Sequence, residues 1–129
     1  MQKQQLISII DDDDAVRDSL AALLEADGHA VALHGSGEAF LATRALEAAD
    51  CVVLDLQLPG MSGLEVLGKL AANRPALPVI LITGRSYPGL REQALRAGAC
   101  ALLQKPLPHR AILDTIHGAL EARAKSAAN

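Results

Sequence analysis

A doubly wound α/β fold, with a five-stranded parallel sheet flanked by five helices, is what the sequence predicts, and three observations predict it. Short apolar runs alternate five times with longer stretches, the pattern of a parallel sheet covered by helices. Three of those runs, 6–10, 51–54 and 79–82, are almost continuously apolar, as strands buried on both faces must be. The stretches between them repeat apolar residues at helical spacing.

In chain order, the first, third and fourth strands are the central ones. The second, 30–34, alternates only in part and reads as an edge, while the fifth, 101–103, is weak by β propensity. The first helix carries Val16, Leu20, Leu23 and Leu24 and stops at Gly28, a residue suited to a left-handed C-terminal position. The third has the clearest start: Ser62 followed by Glu65 matches a capping box ahead of Leu64, Leu67 and Leu70. Pro88 and Gly89 fall where the fourth should begin and predict an irregular start. The last begins near Pro108 and places Ile112, Leu113, Ile116 and Leu120 on one face. Residues 1–121 make one domain, and 122–129 read as a frayed tail or the start of a linker.

The chain has 129 residues, enough for one core and too few for a second folded domain. No apolar run approaches the roughly 18 residues that cross a bilayer. The start Met1-Gln2-Lys3-Gln4-Gln5 is not a signal peptide, so a cytoplasmic protein without membrane contact is expected. A net charge of -3 with no Lys/Arg cluster argues against nucleic-acid binding by this segment. Cys51 and Cys100 form neither a disulfide framework nor a metal spacing and read as free, buried packing thiols. His29, His34, His109 and His117 share no ligand spacing and read as surface or edge residues.

Chemistry-bearing side chains sit at the carboxyl ends of the strands: Asp11 and Asp12, Asp55, Thr83, and Lys105 just beyond the fifth. Right-handed crossovers bring those ends to one edge of the sheet, where ligands bind. Three carboxylates held together repel, by roughly 4 kcal/mol per pair at about 4 Å under an effective dielectric near 20. Such a cluster calls for a cation, and an oxygen-only donor set suits a hard ion such as Mg2+. Lys105 supplies a fixed positive charge for a phosphoryl group, Thr83 a hydrogen-bond donor, and Asp55 a carboxylate nucleophile. Asp13 or Asp14 fits the cap of the helix that follows.

The stretches Ile9-Ile10-Asp11-Asp12-Asp13 and Asp55-Leu56-Gln57-Leu58-Pro59-Gly60-Met61-Ser62-Gly63, with the pairs Thr83-Gly84 and Lys105-Pro106, resemble the signature of two-component response-regulator receiver domains. The likeness covers about 5–121. Asp14-Ala15-Val16-Arg17-Asp18-Ser19-Leu20 and Gly37-Glu38-Ala39-Phe40-Leu41 further resemble receivers of FixJ-like regulators. The resemblance implies a flavodoxin-like (CheY-like) strand order of 2-1-3-4-5. It implies Asp55 as phosphoacceptor, Asp12 as direct Mg2+ ligand, Asp11 as ligand through water and the Gln57 carbonyl as a further ligand. Thr83, followed by Gly84, becomes the switch hydroxyl that moves toward the phosphoryl group, and Lys105 the salt-bridge partner of that group, with a cis bond to Pro106. A sensor histidine kinase is the implied partner. Dimerisation would use the fourth helix and fifth strand, with or without the fifth helix, and any DNA-binding output domain would lie outside this segment.

Two departures stand out. Receivers usually carry Tyr or Phe three residues before the lysine, and here that position is Leu102. Tyr87 in the neighbouring loop is the ring left to share its task. Gln57 and Arg85, two beyond the acceptor and two beyond the threonine, border the path of attacking water in the family and should affect phosphate lifetime. The alternative reading is a receiver-shaped interaction module that is never phosphorylated. An aspartate-nucleophile phosphatase would want a second Asp where Gln57 stands, and a flavin-binding protein would want a Ser/Thr/Gly-rich loop for its phosphate after the first strand, where Asp11, Asp12, Asp13 and Asp14 would repel that phosphate.

Overall fold

In the computed structural model, which describes residues 4–128 with side chains to 125, five parallel strands form one sheet in the order β2-β1-β3-β4-β5. They are β1 (Leu6–Ile10), β2 (Ala30–His34), β3 (Cys51–Asp55), β4 (Val79–Thr83) and β5 (Ala101–Gln104). Met1, Gln2 and Lys3 of the amino-terminal reading lie outside the described residues. The expected edge and central strands stand where the apolar pattern puts them: β3 and β4 are buried throughout, and β2 lies at an edge.

Strand alternation sorts the core into two layers. Ile7, Ile9, Cys51, Val53, Ile80 and Ile82 face α1 (Asp14–Ala26) and α6 (His109–Ala128), meeting Leu20, Leu24, Ile112 and Ile116. Ile10, Val52, Leu54, Leu81 and Leu102 face the opposite layer. That layer is α2 (Gly37–Leu41), α3 (Ala45–Ala48), α4 (Gly63–Asn73) and α5 (Leu90–Arg96), and it contributes Phe40, Leu67, Leu70, Leu90 and Ala94. Each fully buried side chain of this size stabilises the fold by about 1.5–3 kcal/mol.

Among the described residues there are six helices where five were expected. Thr43 divides the second: its Oγ1 donates to Phe40 O at 2.9 Å and accepts from Ala45 N at 3.2 Å, a local alternative to helical bonding. The predicted fourth helix is therefore α5, and the last is α6. α6 also runs through 122–128, where a frayed tail or linker was expected. The alanines there are the best helix formers.

The terminal signals match closely. Asp13 caps α1, accepting from Ala15 N and Val16 N. Gly28 is left-handed at φ 93° after that helix, and Ser62 with Glu65 forms a complete capping box. α5 starts only after Gly89 and has no side-chain cap. Both cysteines are free, but only Cys51 is buried. Cys100 is exposed because it precedes β5, where the chain enters the sheet from its edge.

Candidate functional site

The carboxyl edge of the sheet gathers the predicted residues. Asp11 follows β1, Asp55 ends β3, Thr83 ends β4 and Lys105 follows β5. Asp11, Asp55 and Thr83 are buried, and Asp12 is exposed. Lys105 Nζ lies 2.9 Å from Asp11 Oδ2 and 3.1 Å from Asp55 Oδ2, so one ammonium bridges two strands' carboxylates. The Lys105-Pro106 bond is cis. The other Asp55 oxygen accepts from Gln57 N at 2.9 Å, and Asp11 Oδ1 accepts from Asp13 N at 2.9 Å.

Burial of the Asp55 carboxyl raises its pKa, and the Asp11 charge adds to that. The Gln57 N–H and Lys105 oppose it without cancelling it. Burial alone would lower the Lys105 pKa, but the close ionic contacts with Asp11 and Asp55 outweigh it and the net shift is upward. The ammonium is thus held charged between the two acids.

Asp11, Asp12 and Asp55 each offer an oxygen within 4.8 Å of the others. Three carboxylates against one ammonium leave an excess of two negative charges. Asp11 Oδ2 is fully buried and has no aligned hydrogen bond despite its contact with Lys105. An under-satisfied buried oxygen beside two other carboxylates fits a hard divalent cation.

Two features escaped the sequence reading. The Gln57 side chain reaches across to β4: its Nε2 donates to Thr83 Oγ1 at 2.7 Å, and its Oε1 accepts from Gly84 N at 3.1 Å. Thr83 Oγ1 in turn donates to Arg85 O at 2.5 Å and accepts from Arg85 N at 3.1 Å. Arg17, paired with Asp14, donates to Asp11 O at 2.6 Å. Its three-residue spacing from Asp14 was the available signal.

The loop between β3 and α4 is pinned at its α4 end. Gly63 N donates to Leu56 O at 3.1 Å, and a Cβ on Gly63 would stand 2.4 Å from Asp55 O. Met61 N donates to Glu38 Oε2 at 3.3 Å. Leu102 is buried in the layer that holds Leu90 and Ala94 of α5. Tyr87 is exposed, its hydroxyl donating to Gln93 Oε1 at 2.8 Å.

Comparison with known proteins agrees with this geometry. The profile of the response regulator receiver domain matches residues 7–117. The chain belongs to the response regulator receiver family. Within that family it is FixJ-like: it is 42% identical over 114 residues to the transcriptional regulatory protein FixJ of Azorhizobium caulinodans, covering 88% of this chain and 54% of that protein. Against FixJ of Rhizobium meliloti it is 38% identical over 115 residues, covering 89% and 56%. The receiver chain thus spans about half the length of these curated relatives. A CheY-like receiver domain protein of Methanospirillum hungatei superposes with a TM-score of 0.89 at 32% identity, covering 96% of this chain and 99% of that one. No described helix is long and apolar enough to cross a membrane.

Proposed function

We propose that this receiver is a phosphorylation-dependent switch that takes a phosphoryl group on Asp55 from a sensor histidine kinase. The observation that supports it best is the Lys105 ammonium held between Asp11 and Asp55 at the mouth of an acidic cluster. Asp11, Asp12, Asp55 and the main-chain carbonyl of Gln57 are the residues that would hold Mg2+. When bound, that ion supplies charge compensation for the phosphoryl oxygens.

The chain's own groups do the rest. A carboxylate oxygen of Asp55 forms the new O–P bond as the P–N bond to the donor imidazole breaks, and the released nitrogen takes a proton from water. Lys105 balances the charge arriving at Asp55. Thr83 gives up its bond to Arg85 O to donate to a phosphoryl oxygen, which shifts the loop after β4. The surface of α5, β5 and α6 then changes population between two states. That surface would control dimerisation or an output domain, transcriptional in kind as the names of the relatives suggest. We place the domain in the cytoplasm, and assign nucleic-acid contact to an output domain rather than to this segment.

The test is incubation with Mg2+ and acetyl phosphate followed by intact mass. The protein should gain one phosphoryl group, and Asp55→Asn should gain none. An unmodified intact protein, or equal modification of Asp55→Asn, overturns the reading in favour of an unphosphorylated interaction module.

A further inference from the structure

Away from the acidic cluster, at the edge where the strands begin, the structure brings together two histidines that show no ligand spacing in the sequence. Asp27 follows α1, His29 immediately precedes β2, and His117 lies within α6, 90 residues from Asp27. Both imidazoles direct Nε2 at the same carboxylate oxygen, Asp27 Oδ2: His117 at 2.6 Å and His29 at 3.0 Å. The rings are 6.0 Å apart between centroids and tilted by 50°. One ligand atom from each residue lies within 4.8 Å of the other two.

We propose that Asp27, His29 and His117 form a second metal site, for a borderline divalent ion of the zinc class, bound by two imidazole Nε2 atoms and one carboxylate oxygen. In a tetrahedral site with bonds of about 2.0–2.1 Å, neighbouring ligand atoms stand roughly 3.3 Å apart. The contacts of 2.6 Å and 3.0 Å would have to open by about 0.7 and about 0.3 Å. Two nitrogens and one oxygen select zinc, cobalt, nickel or copper over Mg2+, which prefers oxygen alone. Three protein ligands leave a fourth position for water.

The loop half of the site is preorganised. Asp27 N donates to Leu23 O and Leu24 O, Gly28 N to Glu25 O, and His29 N to Leu24 O at 3.0 Å. Left-handed Gly28 reverses the chain between the two ligands, and Gln4 Nε2 holds its carbonyl at 3.1 Å. Access graduates across the site: the side chains are 11% exposed for His29, 28% for Asp27 and 48% for His117. An ion can therefore enter from the α6 side onto a supported pair. The hydrogen bond from His117 leads the causes that hold the Asp27 carboxyl below its ordinary pKa, so it stays an anionic ligand. Filling the site would clasp the α1–β2 loop to α6, independently of the phosphoacceptor pocket.

The test is titration of the whole chain with ZnCl2 in excess Mg2+, which keeps the acidic cluster from competing, with Cys100→Ser as background. Calorimetry should give one equivalent of zinc. Affinity should fall at least tenfold in His117→Ala and in His29→Ala, with circular dichroism confirming that each variant is folded. Cobalt should give the visible absorption of a four-coordinate site, lost in both variants. Zinc should also raise the melting temperature of the parent and not of the variants. Absence of zinc binding at millimolar concentration, or binding unchanged in both folded variants, overturns the proposal.

Discussion

The carboxamide of Gln57 holds Thr83 from across the acceptor pocket, its Nε2 2.7 Å from the threonine Oγ1 while its oxygen takes the Gly84 N–H. It therefore restrains the hydroxyl that, in the proposed switch, would turn to meet a phosphoryl group. A net hydrogen bond is worth about 0.5–1.5 kcal/mol. Gln57→Ala should tighten binding of beryllofluoride, a stand-in for the phosphoryl group, roughly two- to tenfold in the presence of Mg2+. Weaker or unchanged binding by fluorine NMR titration would mean that the contact does not restrain Thr83.

Lys105 sits where the proposed cation would feel its charge. A unit charge about 5 Å from a dication raises its energy by roughly 1.7 kcal/mol even at the dielectric of water. Lys105→Met should bind Mg2+ about tenfold more tightly, measured by calorimetry, while losing phosphoryl transfer from acetyl phosphate. Weaker Mg2+ binding in the variant would contradict repulsion between the ammonium and the cation.

Two glycines in one helix should respond with opposite signs. A Cβ at Gly63 would meet Asp55 O at 2.4 Å and Leu56 Cα at 2.6 Å, both backbone atoms. Gly63→Ala should destabilise by about 1–3 kcal/mol, as overpacking does. Nothing lies within 4 Å of a Cβ at Gly68, and Gly68→Ala should stabilise by about 0.5–1 kcal/mol. Urea denaturation of both variants checks the pair.

The two thiols should separate chemically. Burial pushes the Cys51 thiol up to about 12, and that of Cys100 rises for the same leading reason. Only Cys100 is an exposed residue. Iodoacetamide at mildly alkaline pH should label the native protein once, slowly, and Cys100→Ser should stay unlabelled until denatured. Fast double labelling of the native chain would show that β3 opens readily.

The strands and the acidic cluster were legible because both follow from one-dimensional rules: continuous apolar runs make buried strands, and strand ends converge. The split at Thr43 was not, since a hydroxyl diverting two backbone groups leaves the apolar period intact. Cys100 misled because its apolar neighbours belong to the chain around it, while its own exposure depends on the sheet edge. The reach of Gln57 to Thr83 spans 26 residues, and that of His117 to Asp27 spans 90. Such contacts depend on how helices and loops rotate onto the sheet, which residue spacing does not encode.

The two walls of the Asp55 pocket differ in how firmly they are built. On one side Gly63 presses against the backbone of Asp55, the capping box of Ser62 and Glu65 fixes the helix start, and Glu38 grips Met61. On the other, the exposed stretch 84–89 leads to a helix that begins without a side-chain cap. If Asp55 is phosphorylated as proposed, the α4 wall would act as the anvil and displacement would travel out through the β4–α5 loop. Mutational sensitivity should divide along the same line, with folding defects clustering at 60–65 and signalling defects at 84–90.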